Sequence, residues 1–119
     1  MVEDDADLCC AVVLLLESSG YEAVGVADGR QAFDLLQHGL HPRMILLDLS
    51  MPEMNGEQFR LIQLRHRRLA SIPVVIFSAR PDAQQVARSL HAPAVLEKPI
   101  DADVLLHAVE EHSTAWPRP

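Results

Sequence analysis

The chain has 119 residues, of which 49% are hydrophobic and 23% are charged, a size and balance typical of one globular domain with a single core. Its net charge of −7 argues against direct binding to nucleic acid or to an anionic membrane, because both require clustered Lys and Arg. No apolar stretch approaches the roughly 20 residues that a membrane-spanning helix needs.

Strand-like apolar runs and helical patterns alternate along the chain. The first half has a short apolar run ending at Val2, a helical pattern over 8–16, a strand-like run over 21–27, and a helix capped by Asp28. The second half has strand-like runs over 44–49, 74–77 and 94–96, each followed by a helix, with Asp82 and Asp101 as the last two caps. The apolar stripes expected to face the core are Ala32, Leu35 and Leu36; Phe59 and Ile62; Ala83, Val86, Ala87 and Leu90; and Val104, Leu105, Ala108 and Val109.

The strand-like runs predict the kind of sheet. Residues 45–47 and 74–77 are continuously apolar rather than alternating, which is typical of strands that are covered on both faces. Strict alternation of such strands with helices indicates a parallel sheet between two helix layers.

Cys9 and Cys10 are adjacent and match no zinc or redox spacing. We interpret them as small buried hydrophobic residues on a helix. Unpaired cysteines of this kind favour a reducing, cytoplasmic setting.

Four of the apolar runs end on residues that carry chemistry. These endings are Glu3 with Asp4, Asp48, Ser78 and Lys98. The carboxyl ends of parallel strands lie along one edge of a sheet, where open α/β folds bind their ligands. We therefore expect the acids, the hydroxyl and the amine to converge on Asp48.

Such a cluster predicts a site that accepts a phosphoryl group. The Asp48 carboxylate can attack an activated phosphoryl group and hold it as an acyl phosphate. Attack brings two anions together, so Glu3 and Asp4 are expected to bind a hard divalent cation, for which Mg²⁺ suits a phosphate partner best. Lys98 adds a fixed positive charge, and the Ser78 hydroxyl can turn toward a phosphoryl oxygen.

Each of these features also has an ordinary structural explanation. An Asp after an apolar run is commonly a turn or cap residue, and the acids at 3–5 could cap the next helix. A Lys-Pro pair alone indicates almost nothing. Their joint occurrence, in order and each at the end of an apolar run, favours the functional interpretation.

On these residues the chain resembles the receiver domain of bacterial response regulators over residues 2–112. The most specific element is residues 46–56, with the sequence LLDLSMPEMNG, which is similar to the phosphorylation-site loop of that family. The acids at 3–5 match its acidic pocket, Ser78 its Ser/Thr position, and residues 98–99 its Lys-Pro pair.

The resemblance implies an α/β fold of the flavodoxin-like type. A doubly wound sheet of five parallel strands in the order 2-1-3-4-5 would be flanked by five helices. Residues 1–114 would form the receiver domain, and residues 115–119 a disordered tail.

The resemblance also implies a function for each site residue. Asp48 would take a phosphoryl group from a phosphohistidine on a sensor histidine kinase or histidine phosphotransfer domain. Ser78 and Lys98 would contact that group. The expected Mg²⁺ ligands are Glu3, Asp4, Asp48 and the backbone carbonyl of Ser50.

Three features depart from the family pattern. Only Met1 precedes residues 2–5, which match the acidic pocket, so the first strand is expected to be truncated although it is central in the expected sheet. The position of the family's switch aromatic, three residues before the Lys, is Val95, so the usual coupled movement of Ser78 and an aromatic cannot operate in its ordinary form. The segment between Ser78 and Lys98 is also shorter than is typical.

These residues raise three candidate functions for the chain. The favoured one is a signalling switch in which Mg²⁺-dependent phosphorylation of Asp48 changes contacts with other proteins. The alternative is a receiver-like interaction module that works without phosphorylation, as the truncated first strand and Val95 suggest. A phosphohydrolase would need a second acid two residues after the nucleophile, where this chain has Ser50, so turnover on a separate substrate is not expected. The sequence is compatible with a stand-alone receiver, part of a longer regulator, or a receiver attached to a hybrid kinase.

Overall fold

A computed structural model describes residues 1–51 and 54–113. Five helices and three strands lie in this part of the chain: α1 (Ala6–Ser18), α2 (Gly29–Gln37), β1 (Ile45–Asp48), α3 (Gly56–Arg65), β2 (Val74–Ser78), α4 (Ala83–Ser89), β3 (Ala94–Glu97) and α5 (Ala102–His112). The predicted α/β fold with five helices is therefore confirmed, whereas the strict alternation is not, since α2 follows α1 with no described strand between them. The predicted tail at 115–119 lies outside the described residues.

The three strands form one parallel sheet in the order β1-β2-β3. Asp48 at the end of β1 is in register with Phe77 of β2, and Ser78 at the end of β2 is in register with Glu97 of β3. The carboxyl ends of the strands consequently share one edge, as the sequence predicts.

The strand predicted over 21–27 is not formed. Val26 makes only an isolated parallel bridge to Val2, which also bridges Leu47 of β1. Among the described residues, 1–3 lie between the segment around Val26 and β1. Val26 N donates to Met1 O at 2.9 Å, and Glu3 N donates to Val26 O at 3.0 Å. The backbone hydrogen bonds between this segment and residues 1–3 involve only Val24 and Val26, so no continuous ladder forms over 21–27 in the described structure.

Both faces of the sheet are covered. Every residue of β1 and β2 is buried, and their side chains alternate between two apolar clusters. Ile45, Leu47, Val74 and Ile76 pack with residues of α2, α3 and α4, whereas Leu46, Val75 and Phe77 pack with residues of α1 and α5. This division is the arrangement of a sheet between two helix layers that the continuously apolar runs predict.

Some predicted core positions are wrong. Leu35 is 37% exposed and Val104 is 52% exposed, because the buried stripes of their helices are carried by neighbouring positions: Leu36 in α2, and Leu105 with Ala108 and Val109 in α5. Cys10 is exposed, and only Cys9 is buried as predicted.

Short polar side chains begin four of the five helices. The side chains of Asp5, Asp28, Asn55 and Asp101 accept hydrogen bonds from backbone N–H groups of the first turn, which satisfies donors that have no partner within the helix. Asp82 is the N-cap residue of α4, as predicted, but its side chain makes no such bond. Its carboxylate binds Arg80 instead.

A buried arginine joins α3 to the end of α4. Arg60 donates from Nε to Leu90 O at 3.0 Å, from Nη1 to Gln63 Oε1 at 2.9 Å, and from Nη2 to His91 O at 3.1 Å. Gln63 Nε2 in turn donates to Leu69 O and Ile72 O. Burial lowers the pKa of Arg60.

No helix of the described part is long and apolar enough to cross a membrane.

We expect Arg60→Ala to lower the free energy of unfolding by about 2–4 kcal/mol, because it leaves buried carbonyls and Gln63 without their donor. Urea denaturation measures this change. Arg65→Ala, at an exposed position of the same helix, should change stability by less than about 0.5 kcal/mol. Equal effects of the two substitutions would show that the buried network contributes nothing specific.

Candidate functional site

Three carboxylates meet at the carboxyl end of β1. Each of Glu3, Asp4 and Asp48 offers a carboxylate oxygen that lies within 4.8 Å of the others. Glu3 and Asp48 are 1% and 3% exposed, whereas Asp4 is exposed. The parallel bridge between Val2 and Leu47 causes this meeting, since each buried acid directly follows a bridging residue. The structure therefore brings together the three acids that the sequence predicts.

Lys98 supplies positive charge to this cluster. It follows β3, and its Nζ lies 2.6 Å from Glu3 Oε1 and 3.4 Å from Asp48 Oδ1. The ammonium also lies 5.0 Å from the centroid of the Phe77 ring, which is within the range of a cation–π contact. The backbone N–H of Lys98 donates to Ser78 O at 3.1 Å, so β2 fixes the point from which the side chain reaches the acids.

Burial and mutual repulsion set the charges of the site. Burial raises the pKa of Glu3, and the nearby Asp48 charge raises it further, against the opposing effects of Lys98 and the Asp5 N–H. Burial alone would lower the pKa of Lys98, but the hydrogen bond and charge of Glu3 and the charge of Asp48 outweigh burial, so its pKa is raised. The cluster therefore contains one ammonium group, that of Lys98, and three carboxyl groups.

The same residues fit a hard divalent cation. Glu3 Oε1 is buried beside the Lys98 ammonium, 2.6 Å away, and no other donor among the described residues is hydrogen-bonded to it. Carboxylate oxygens with free lone pairs, close together and in excess over the local positive charge, are the ligands that Mg²⁺ prefers. Ser50 N donates to Asp48 Oδ1 at 3.3 Å, which places this backbone beside the acid, whereas its carbonyl as a metal ligand stays a prediction.

Ser78 and Val95 have different surroundings. Ser78 is 2% exposed at the end of β2, and its Oγ accepts a hydrogen bond from Arg80 N at 3.0 Å rather than contacting the acids. Val95 is half-buried and packs against the core that contains Leu47 and Ile76. An aliphatic side chain thus occupies the position that is aromatic in the expected pattern.

The start of α3 packs closely on the backbone of Asp48. Gly56 N donates to Leu49 O at 3.2 Å, and a Cβ at Gly56 would lie only 2.3 Å from the carbonyl oxygen of Asp48. No side chain fits there. The glycine therefore allows the loop after Asp48 to return to the sheet.

Sequence reasoning missed an ion-pair cluster beside the site. Arg80 Nη1 lies 2.9 Å from Glu57 Oε1, and Arg80 Nη2 lies 2.8 Å from Asp82 Oδ2. An arginine two residues after Ser78 and two before an acid was a visible signal for the second pair. The ion pair between Arg80 and Glu57 joins residues that are 23 apart in the sequence, so no local pattern predicts it.

The chain matches a family of known proteins and individual members of it. Residues 1–110 match the family model described as response regulator receiver domain. The probable methanogenesis regulatory protein FilR2 of Methanothrix harundinacea (strain 6Ac) is 32% identical over 127 residues, which cover 98% of this chain and 81% of that protein. The DNA-binding response regulator MtrA of Mycobacterium tuberculosis (strain ATCC 25618 / H37Rv) is also 32% identical, over 95 residues that cover 79% of this chain but 40% of MtrA.

A solved structure shows the same fold. The signal receiver domain of a signal transduction histidine kinase from Syntrophus aciditrophicus superposes with a TM-score of 0.86 at 30% identity, covering 99% of this chain and 90% of that one.

We expect Lys98→Ala to lower the free energy of unfolding by about 2–3 kcal/mol at neutral pH, because two buried acids lose their counter-charge. This is less than the ~3–5 kcal/mol typical of fully buried pairs, since the Lys98 side chain is 22% exposed. Urea denaturation measures the loss, with Arg30→Ala as the control at an exposed position.

The loss should shrink as the pH falls toward the raised pKa of Glu3. A raised carboxyl pKa means that the folded state binds more protons than the unfolded state, so protonation relieves the buried charge. A variant as stable as the wild type at neutral pH would show that Lys98 does not neutralise the acids.

Proposed function

Because the chain belongs to the response regulator receiver domain family, we propose that it accepts a phosphoryl group at Asp48 within a two-component phosphorelay. The family is one of signal transduction. The observation that carries the proposal is the placing of the Asp48 carboxylate beside Glu3, Asp4 and the Lys98 ammonium. A cluster of acids with one cation is suited to an anion that arrives with a divalent metal.

The proposed reaction is a transfer between two proteins. An Asp48 carboxylate oxygen attacks the phosphorus of a phosphohistidine, the new O–P bond forms, and the P–N bond to the histidine breaks. The product is an acyl phosphate on Asp48. No turnover on a separate substrate is proposed, because Ser50 occupies the place where a hydrolase would carry its second acid.

Side chains of the site divide the work of holding the phosphoryl group. Glu3, Asp4, Asp48 and the Ser50 carbonyl would hold Mg²⁺, which supplies charge neutralisation between the acceptor and phosphoryl oxygens. The Lys98 ammonium, already 3.4 Å from Asp48, is placed to neutralise a phosphoryl oxygen. The Ser78 hydroxyl would donate to another oxygen.

The partners follow from the chemistry and from the relatives. The donor is proposed to be a sensor histidine kinase or a histidine phosphotransfer domain, in line with the kinase receiver domain that shares this fold. MtrA is described as a DNA-binding response regulator, but this acidic chain is proposed to bind neither nucleic acid nor membrane directly. Its signal would pass through protein contacts in the cytoplasm.

The five-strand order 2-1-3-4-5 is part of this proposal. The isolated bridges of Val2 to Val26 and to Leu47 support it, since they place residues 1–3 between the 24–26 segment and β1. Strands 3, 4 and 5 of that order correspond to β1, β2 and β3, which are neighbours in the same sequence in the observed sheet.

A second candidate is a receiver-like interaction module that works without phosphorylation. The single-residue bridges of Val2 and the aliphatic Val95 favour it, because both weaken the means by which a phosphoryl group would reorganise the domain. The two candidates differ in whether Asp48 becomes labelled.

We expect incubation with Mg²⁺ and acetyl phosphate to add one phosphoryl group to the chain, as weighed by intact-mass spectrometry. The added mass should be absent with a chelator and in Asp48→Asn. Asp7→Asn, at an exposed acid of α1, is the matched control and should label as the wild type does. Label retained in Asp48→Asn would contradict the assignment, and a folded wild type that takes no label would favour the interaction module.

A further inference from the structure

Arg80 links two elements beside the proposed phosphorylation site. It lies in the loop between β2 and α4, and its Nη1 donates to Glu57 Oε1 at the start of α3. Its Nε and Nη2 donate to the two carboxylate oxygens of Asp82 at 3.0 and 2.8 Å. We call this group of three residues, Glu57, Arg80 and Asp82, the Arg80 clamp. The two acids thus hold a planar guanidinium in one orientation, which a single surface ion pair rarely achieves.

The loop held by the clamp contacts Ser78 directly. The backbone N–H of Arg80 donates to Ser78 Oγ at 3.0 Å, and Ser78 is 2% exposed. A hydroxyl that accepts one hydrogen bond keeps its own proton for donation. The bond from Arg80 therefore restricts the orientation of the hydroxyl while leaving its proton uncommitted.

We propose that Arg80 is a positioning residue for phosphoryl capture, acting through Ser78. The Arg80 clamp fixes the loop so that the Arg80 N–H holds Ser78 Oγ, and the Ser78 proton is directed to a phosphoryl oxygen on Asp48. This inference rests on the proposed function of Asp48 and Ser78. A donor that is aligned in advance stabilises developing charge without reorganising at the moment of transfer.

The geometry separates this role from direct contact with the phosphoryl group. The bond to Ser78 comes from the backbone, so substitution of the Arg80 side chain cannot remove the donor. It can only release the loop that aims the donor. The effect of Arg80 must then vanish when Ser78 lacks its hydroxyl.

The test is a double-mutant cycle on binding of beryllium trifluoride, a mimic of a carboxylate-bound phosphoryl group, in the presence of Mg²⁺. Titration gives the dissociation constant of the full chain, of Arg80→Ala, of Ser78→Ala and of the double variant. We expect Arg80→Ala to weaken binding by about threefold to tenfold, the loss that accompanies one misaligned hydrogen bond. In the Ser78→Ala background the same change should alter binding by less than about twofold.

Two further variants distinguish the loss of the clamp from a general loss of structure. Glu57→Gln leaves the loop sequence intact and should weaken binding in the same direction as Arg80→Ala. Arg88→Ala, at an exposed arginine of α4, removes the same charge and should leave the affinity unchanged. The fluorine resonances of the bound beryllium trifluoride give a second measurement, because their positions should shift in Arg80→Ala and not in Arg88→Ala.

The outcomes distinguish the inference from the function on which it rests. Unchanged affinity in Arg80→Ala, or an equal loss with and without the Ser78 hydroxyl, would overturn the positioning role while leaving the proposed function intact. A wild type that is folded yet binds no beryllium trifluoride would overturn both.

Discussion

Buried negative charge at the carboxyl end of β1 is the constraint on which the rest of this domain depends. Two carboxylates that are almost inaccessible to water, Glu3 and Asp48, lie close together, and buried negative charge of this kind is costly unless a cation pairs with it. Lys98 provides that charge from the end of β3. The position of β3, and through it of α5, is thus tied to the chemistry of the site as well as to apolar packing.

The sheet is the device that brings these charges together. Parallel pairing sets Asp48 level with Phe77, and Ser78 level with Glu97, so residues far apart in the chain reach one edge. A single residue, Val2, does the same for the acids that precede α1. Residues 1–3 therefore bring Glu3 and Asp4 to this edge of the sheet even though they make only isolated bridges.

Around the acids, the loops decide how a change at Asp48 could be transmitted. Val95 packs into the core and offers no aromatic ring that could exchange between buried and exposed positions. The loop after Ser78 is instead linked to α3 by Arg80. On the inference drawn above, control of this site would lie in the polar contacts between the β2–α4 loop and α3 rather than in the movement of a large side chain.

The sequence by itself determined the features that depend on local pattern. Continuous apolar runs over 45–47 and 74–77 predicted two strands that are buried on both faces, and the residues that end the runs predicted the acidic cluster with Lys98. These predictions succeed because side-chain periodicity and strand endings are properties of a few consecutive residues. The tertiary structure alone decided the features that depend on distant partners: the segment predicted as a strand at 21–27 makes only an isolated bridge to Val2, and the Asp82 side chain binds a nearby arginine rather than the first turn of α4. The contact of Arg80 with Glu57 crosses 23 residues, and no short-range pattern encodes a contact that exists only once the sheet has aligned its strand ends.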